Sequence, residues 1–210
     1  DYGVWINIDS DMSGFVALCA VLGKLTEVNL SDCHLGPTST GELAKVFSDA
    51  DAAVSSLAIF GNFLFGSKDE TGYDSTQDHD VDKDQSGWNN LCEQLKVSNI
   101  TSFTASDIGM GLVALRTLAT SLPAAVARLI LDENPLTGGK WNDVDKDITG
   151  VTSLFDTLKT SSVTELGLAK CQLGSRSMGK LAEYVREATA AVARLSLSGN
   201  MITGSLCDES

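Results

Sequence analysis

Aromatic side chains are scarce in this chain: Phe, Trp and Tyr make up 6% of its 210 residues, although 43% are hydrophobic. Any core must therefore be built mainly from Leu, Val, Ile and Ala. Positive charge is scarce too. Fifteen Lys and Arg against 28 Asp and Glu leave a net charge of -13, which argues against a nucleic-acid backbone or an anionic membrane as partner and suits basic surfaces or cations. Long apolar runs are missing. The stretch from Phe15 to Leu25, once its Gly and Lys are discounted, reaches roughly a third of a membrane span.

The five cysteines contain no CxxC pair, so neither zinc-site spacing nor a disulfide framework is present. Cys19, Cys33, Cys92 and Cys171 read as buried free thiols, and Cys207 as the candidate for an intermolecular bond. The chain opens on Asp1 with no charged-then-apolar leader, and reads as a processed or partial chain. Two glycosylation candidates, Asn29 and Asn99 in Asn29-Leu30-Ser31 and Asn99-Ile100-Thr101, lean towards an extracellular setting.

What the sequence does contain is a repeated five-point apolar template. It reads Leu25, Val28, Leu30, Cys33, Leu35, then Val54, Leu57, Ile59, Asn62, Leu64, and more weakly Ile100, Phe103, Ala105, Ile108, Met110. It returns as Val126, Leu129, Leu131, Asn134, Leu136, as Val163, Leu166, Leu168, Cys171, Leu173, and as Val192, Leu195, Leu197, Asn200, Ile202. Alternating apolar positions predict short strands, and the segments between them, such as 41–49, 111–121 and 178–188, predict helices. Strands of this kind cannot bury their apolar face alone, so successive copies must stack as a parallel sheet lined by helices. The Asn or Cys of the template falls where the chain leaves the strand, suited to satisfying backbone groups there or filling a small apolar space. Val4, Ile6 and Ile8 alternate likewise and form a further, N-terminal strand candidate.

These template copies, with Gly36-Pro37-Thr38-Ser39-Thr40-Gly41-Glu42-Leu43-Ala44 and Gly87-Trp88-Asn89-Asn90-Leu91-Cys92-Glu93-Gln94-Leu95 as helical halves, resemble the leucine-rich repeat family, and within it the long-repeat, ribonuclease-inhibitor-like type. The resemblance covers roughly residues 14 to 204. It implies an α/β fold: a curved solenoid of about six repeats with an inner parallel sheet and outer helices, spanning 1–210 as one domain and serving as a protein-binding scaffold. No catalytic residue transfers with it. GTPase-activating relatives of the fold supply an enzymatic reading by analogy alone.

Between central template positions 28, 57, 103, 129, 166 and 195 the steps are 29, 46, 26, 37 and 29 residues. The long steps hold two acidic inserts, 65–86 and 137–149. Their ends match: Asp80-Val81-Asp82-Lys83-Asp84-Gln85-Ser86-Gly87 and Asp143-Val144-Asp145-Lys146-Asp147-Ile148-Thr149-Gly150, with Asp9-Ser10-Asp11-Met12-Ser13-Gly14 as a reduced copy. Oxygen ligands at alternate positions are what Ca²⁺ takes from a loop, so Asp80, Asp82, Asp84, Ser86, Asp143, Asp145, Asp147 and Thr149 are the candidate metal ligands. Gln85 and Ile148 stand where an EF-hand needs Gly, and Leu91 and Leu154 where it needs a bidentate Glu. The competing reading makes Asp84 with Ser86, and Asp147 with Thr149, caps of the helices that follow.

On the sheet face, Arg128, Glu165 and Arg194 share one template position on three successive strands, about 4.8 Å apart, and should form a charge ladder. After the last strand only Thr203 to Ser210 remain, too few for a covering helix. Three arrangements would protect Leu195, Leu197 and Ile202: a longer array, a second copy, or the tail folded back. In the second, this edge meets Val4, Ile6 and Ile8 of another copy, and tail and head together rebuild an acidic insert. The function expected is thus a non-enzymatic interaction or structural module, with protein as partner, assembling head to tail into a filament. The alternative is a calcium-dependent extracellular adhesion or recognition module that uses the inserts.

Overall fold

A computed structural model describes residues 8–49, 51–66, 81–138 and 144–204. Six strands of three residues each, β1 (Glu27–Asn29), β2 (Ser56–Ala58), β3 (Ser102–Thr104), β4 (Arg128–Ile130), β5 (Glu165–Gly167) and β6 (Arg194–Ser196), pair in parallel and in sequence order. Six helices alternate with them: α1 (Ser13–Leu22), α2 (Pro37–Phe47), α3 (Ser86–Leu95), α4 (Leu112–Ser121), α5 (Thr149–Leu158) and α6 (Ser175–Glu187). The sheet register runs through Val28, Leu57, Phe103, Leu129, Leu166 and Leu195. These are the central template positions, so the apolar alternation alone dictates which residues face the helices.

Val28, Leu57, Phe103, Leu129 and Leu166 are all buried, as are the template residues flanking them in β2 to β5. By area, each contributes about 2 kcal/mol of burial. Three of the aromatics pack together beside the long insert. Trp88 on α3 lies between Phe65, 5.6 Å away, and Phe103, 6.4 Å away, and its indole N–H donates to the Ala114 carbonyl of α4 at 3.0 Å. One large ring thus ties two helices and a strand together, with its polar edge satisfied.

Template asparagines join neighbouring strands' exits. The Asn134 side-chain oxygen accepts from the backbone N–H of Ile108 and Met110, while its amide donates to Ala105, Leu131 and Asp132 carbonyls. Asn62 does the same two units earlier, and Asn200 two units later. Each therefore satisfies backbone groups of its own exit and of the preceding one, a reach across the stack that the sequence reading confined to the turn itself. Cys171, in the alternate unit, is buried and its thiol lies 3.3 Å from the Leu131 carbonyl.

Three expectations change. Helices α2 and α6 begin at Pro37 and Ser175, about a turn before positions 41 and 178, because side chains remote in sequence cap them. Ile8 lies in a turn rather than a strand, and Val4 and Ile6 fall outside the described residues. Cys33 is exposed, not buried, since among the described residues no earlier strand exit covers it as Leu131 covers Cys171.

Candidate functional site: the acidic inserts and the two ends

Each acidic insert serves two helices. The first is its own: Asp84 accepts from the Ser86 N–H at 2.9 Å ahead of α3, and Asp147 from the Thr149 N–H at 2.8 Å ahead of α5. Asp11 accepts both N–H and hydroxyl of Ser13 ahead of α1, at 3.0 and 2.7 Å. The carboxylate is the acceptor in every case, so Ser13, Ser86 and Thr149 are first-turn donors rather than caps. Hydrogen bonds from those residues hold the Asp11, Asp84 and Asp147 carboxyls below the ordinary aspartate value.

The second helix lies one step further along the stack. Asp82 receives the N–H groups of Gly111, Val113 and Ala114 at the start of α4, at 2.9, 2.6 and 3.1 Å. Asp145 receives those of Gly174, Arg176 and Ser177 at the start of α6, at 2.9, 2.8 and 3.2 Å, and the Ser177 hydroxyl as well. Asp9 does this for α2 through Gly36, Thr38 and Ser39. All three aspartates have left-handed backbone, with φ of 59°, 54° and 54° for Asp9, Asp82 and Asp145, a conformation Asp tolerates better than most residues. Glycine is required opposite them: a Cβ on Gly36, Gly111 or Gly174 would stand 2.6, 2.6 or 2.8 Å from a carboxylate oxygen. Burial pushes the Asp145 carboxyl up, but the Ser177 hydroxyl and the N–H groups of Gly174, Ser177 and Arg176 outweigh it and leave it below the ordinary value. These remote caps were not read from the sequence. Their signal is the recurrence of Gly 27 to 29 residues after Asp9, Asp82 and Asp145.

Of the eight candidate metal ligands, Asp80 and Asp143 lie outside the described residues. Asp82 and Asp145 are turned to one helix, Asp84 and Asp147 to another. Among the described residues no three acidic, His or Cys side chains converge in a way that could hold a metal ion. Asn29 and Asn99 are both exposed. The charge ladder is formed: Glu165 pairs with Arg128 at 3.3 Å and with Arg194 at 3.3 Å, and Arg128 donates to the Thr104 hydroxyl at 2.9 Å.

The two ends expose what the middle buries. Leu18 on α1 is 42% exposed, whereas Leu91 and Leu154, at the same place in α3 and α5, are 0% exposed. At the far edge Leu195 is 37% exposed against 1% for Leu57 and 0% for Leu129, and Ile202 is 39% exposed. Leu197 is half-buried.

No protein-family model matches the sequence, and no curated protein matches it significantly. Among solved structures the chain is similar to the actin-binding site 2 unit of leiomodin-1, with a TM-score of 0.58 and 11% identity over 85% of this chain and 90% of that one. Similarity extends to the leucine-rich repeat-containing protein LegL7 from Legionella pneumophila (TM-score 0.43, 20% identity, 89% of this chain and 61% of that one). It also extends to an internalin from Listeria monocytogenes (0.32, 16%, 93% and 60%). At such identities the leiomodin-1 likeness speaks for fold alone. Six parallel strands in sequence order, each reached through a helix, are consistent with a leucine-rich-repeat-like solenoid. No helix among the described residues is long and apolar enough to cross a membrane.

Proposed function

We propose that this chain is a non-enzymatic protein-interaction module of the long αβ repeat type, acting by shape and joining copies of itself through the ends of its stack. The observation that carries the reading is the exposure of Leu18, Leu195 and Ile202 at positions that are buried inside the same molecule. Apolar positions of this kind, gathered at two opposite edges, mark contact surfaces. Two different edges that fit one another give a heterologous contact, which propagates instead of closing as a two-fold dimer does. The similarity in fold to an actin-binding unit of leiomodin-1 supports a protein as partner.

For the inserts, geometry favours capping: the described aspartates receive the N–H groups that helix starts leave unpaired. The calcium-dependent alternative has no comparable observation behind it. Its test is calorimetry with millimolar Ca²⁺, where heat of binding and a raised melting temperature would establish it. Self-association is tested by multi-angle light scattering over a wide concentration range. Growth of the mass in steps of one chain is expected; a constant one-chain mass at the highest concentration would overturn the reading.

A further inference from the structure

Resting on the self-association just proposed, we infer a specific register for it: α1 of a second copy seats against α6 and beside β6 of the first, as α3 seats against α2 and α5 against α4. The frame of the chain makes this visible. Within it, β2 is followed by α3 and β4 by α5, each helix beginning with a Ser-Gly or Thr-Gly pair. Among the described residues no helix follows β6, and α1, which begins Ser13-Gly14, has no strand before it. Within the described residues, β6 is the edge strand of the stack and α1 the edge helix at the other side.

The glycines fix how the helices would seat. Gly87 at the start of α3 packs on the Pro37 carbonyl and Thr40 of α2, so closely that a Cβ there would overlap them. Gly150 of α5 packs on Leu112 of α4 in the same way, a Cβ falling 2.9 Å from the Leu112 carbonyl oxygen. Gly41 of α2 faces back: a Cβ on it would stand 4.0 Å from the Gly87 Cα. Gly14 on α1 and Gly179 on α6 stand at the corresponding places, and a Cβ on either would meet nothing within 4 Å. Ala182 of α6 repeats the pattern: it is exposed, while Ala44 and Ala119 at the same position are buried. So α6 presents an unused copy of the α2 and α4 surface, and α1 an unused copy of the α3 and α5 surface.

Seated so, β1 of the second copy continues the sheet beside β6, as β3 does beside β2. Leu18 and Leu195 enter one core. Cys33 takes the place that Cys171 occupies behind Leu131, its thiol now behind the Leu197 carbonyl. On α1 the residue facing α6 is Ala17, where α3 has Asn90 and α5 has Ser153, which makes this copy of the surface the more apolar of the three.

The test uses Gly14→Leu and Gly179→Leu, which add bulk in open space on the free chain but block the junction from opposite sides. Sedimentation velocity of each alone should give one-chain particles, with a melting temperature no lower than that of the dilute wild-type chain. Mixed in equal amounts they should form two-chain particles and nothing larger, since each retains one intact end. Ala17→Lys, a second head variant, should behave as Gly14→Leu does. If each glycine variant assembles like the wild type, or the mixture stays at one chain while the wild type assembles, this register is wrong though self-association stands. If the wild type itself never exceeds one chain, both fail together.

Discussion

Leu91 and Leu154 have no exposed surface, and Leu18, their counterpart on α1, has 42% of its surface in water. Asn134 binds five backbone groups of two adjacent strand exits inside the stack, all of them buried or partly so; Asn200 makes the same kind of contacts at the edge, half-buried. The residues are alike and their surroundings are not. In a repeat protein each unit is stabilised by its neighbours, so identical side chains are worth most in the middle and least at the ends.

Removing an asparagine should bring out the largest contrast. Asn134→Ala strands two buried N–H donors and several carbonyls, and a loss of about 3–5 kcal/mol is expected in chemical denaturation. Asn200→Ala, where water can replace the amide, should cost about 1 kcal/mol. Equal losses would mean that the edge is already covered in the free chain.

Glycine substitutions sharpen the same contrast with a change of sign. Gly87→Ala forces a Cβ into the α2 backbone and should cost roughly 2–4 kcal/mol. Gly14→Ala meets nothing and replaces a poor helix former by the best, so the free chain should gain up to about 1 kcal/mol.

Strand centres and their register were legible because period-two alternation around Val28, Leu57, Leu129, Leu166 and Leu195 leaves one face to bury. Pairing of Arg128, Glu165 and Arg194 followed from that register. The starts of α2 and α6 were not legible, because the groups that stabilise them, Asp9 and Asp145, come from 27 and 29 residues away and local capping rules do not look that far. Cys33 was misread for a related reason: its template position matches Cys171, but burial depends on a neighbour that a position in sequence does not specify.

Acid should separate the cap at α6 from the rest. The Asp145 carboxyl is held below its ordinary value in the fold, so its stabilisation is complete above the ordinary aspartate pKa of about 4 and is lost as pH falls through the folded-state value. Asp145→Ala should therefore cost about 1–3 kcal/mol at neutral pH. The gap between variant and wild type should close steadily as urea denaturation is repeated at lower pH. A gap of constant size down to pH about 2 would mean the carboxylate's charge is not what α6 requires.

The smallest effect belongs to the sheet-face ladder. Glu165→Ala breaks two partly exposed ion pairs and should cost under about 1 kcal/mol, shrinking further in high salt. A larger, salt-insensitive loss would make that face a structural centre instead of a solvated surface.

If the two ends meet as proposed, the Cys33 thiol reports on that contact directly. Among the described cysteines, Cys92 and Cys171 are buried, Cys19 is half-buried with its thiol pushed up to about 11 by burial and the neighbouring Glu42, and Cys33 is exposed. The rate of Cys33 alkylation, read by peptide mass spectrometry across a range of protein concentrations, is predicted to fall at least about tenfold as self-association proceeds, and to stay fast in Gly14→Leu. A Cys33 rate that is unchanged from dilute chain to assembled chain would contradict the proposed end-to-end contact.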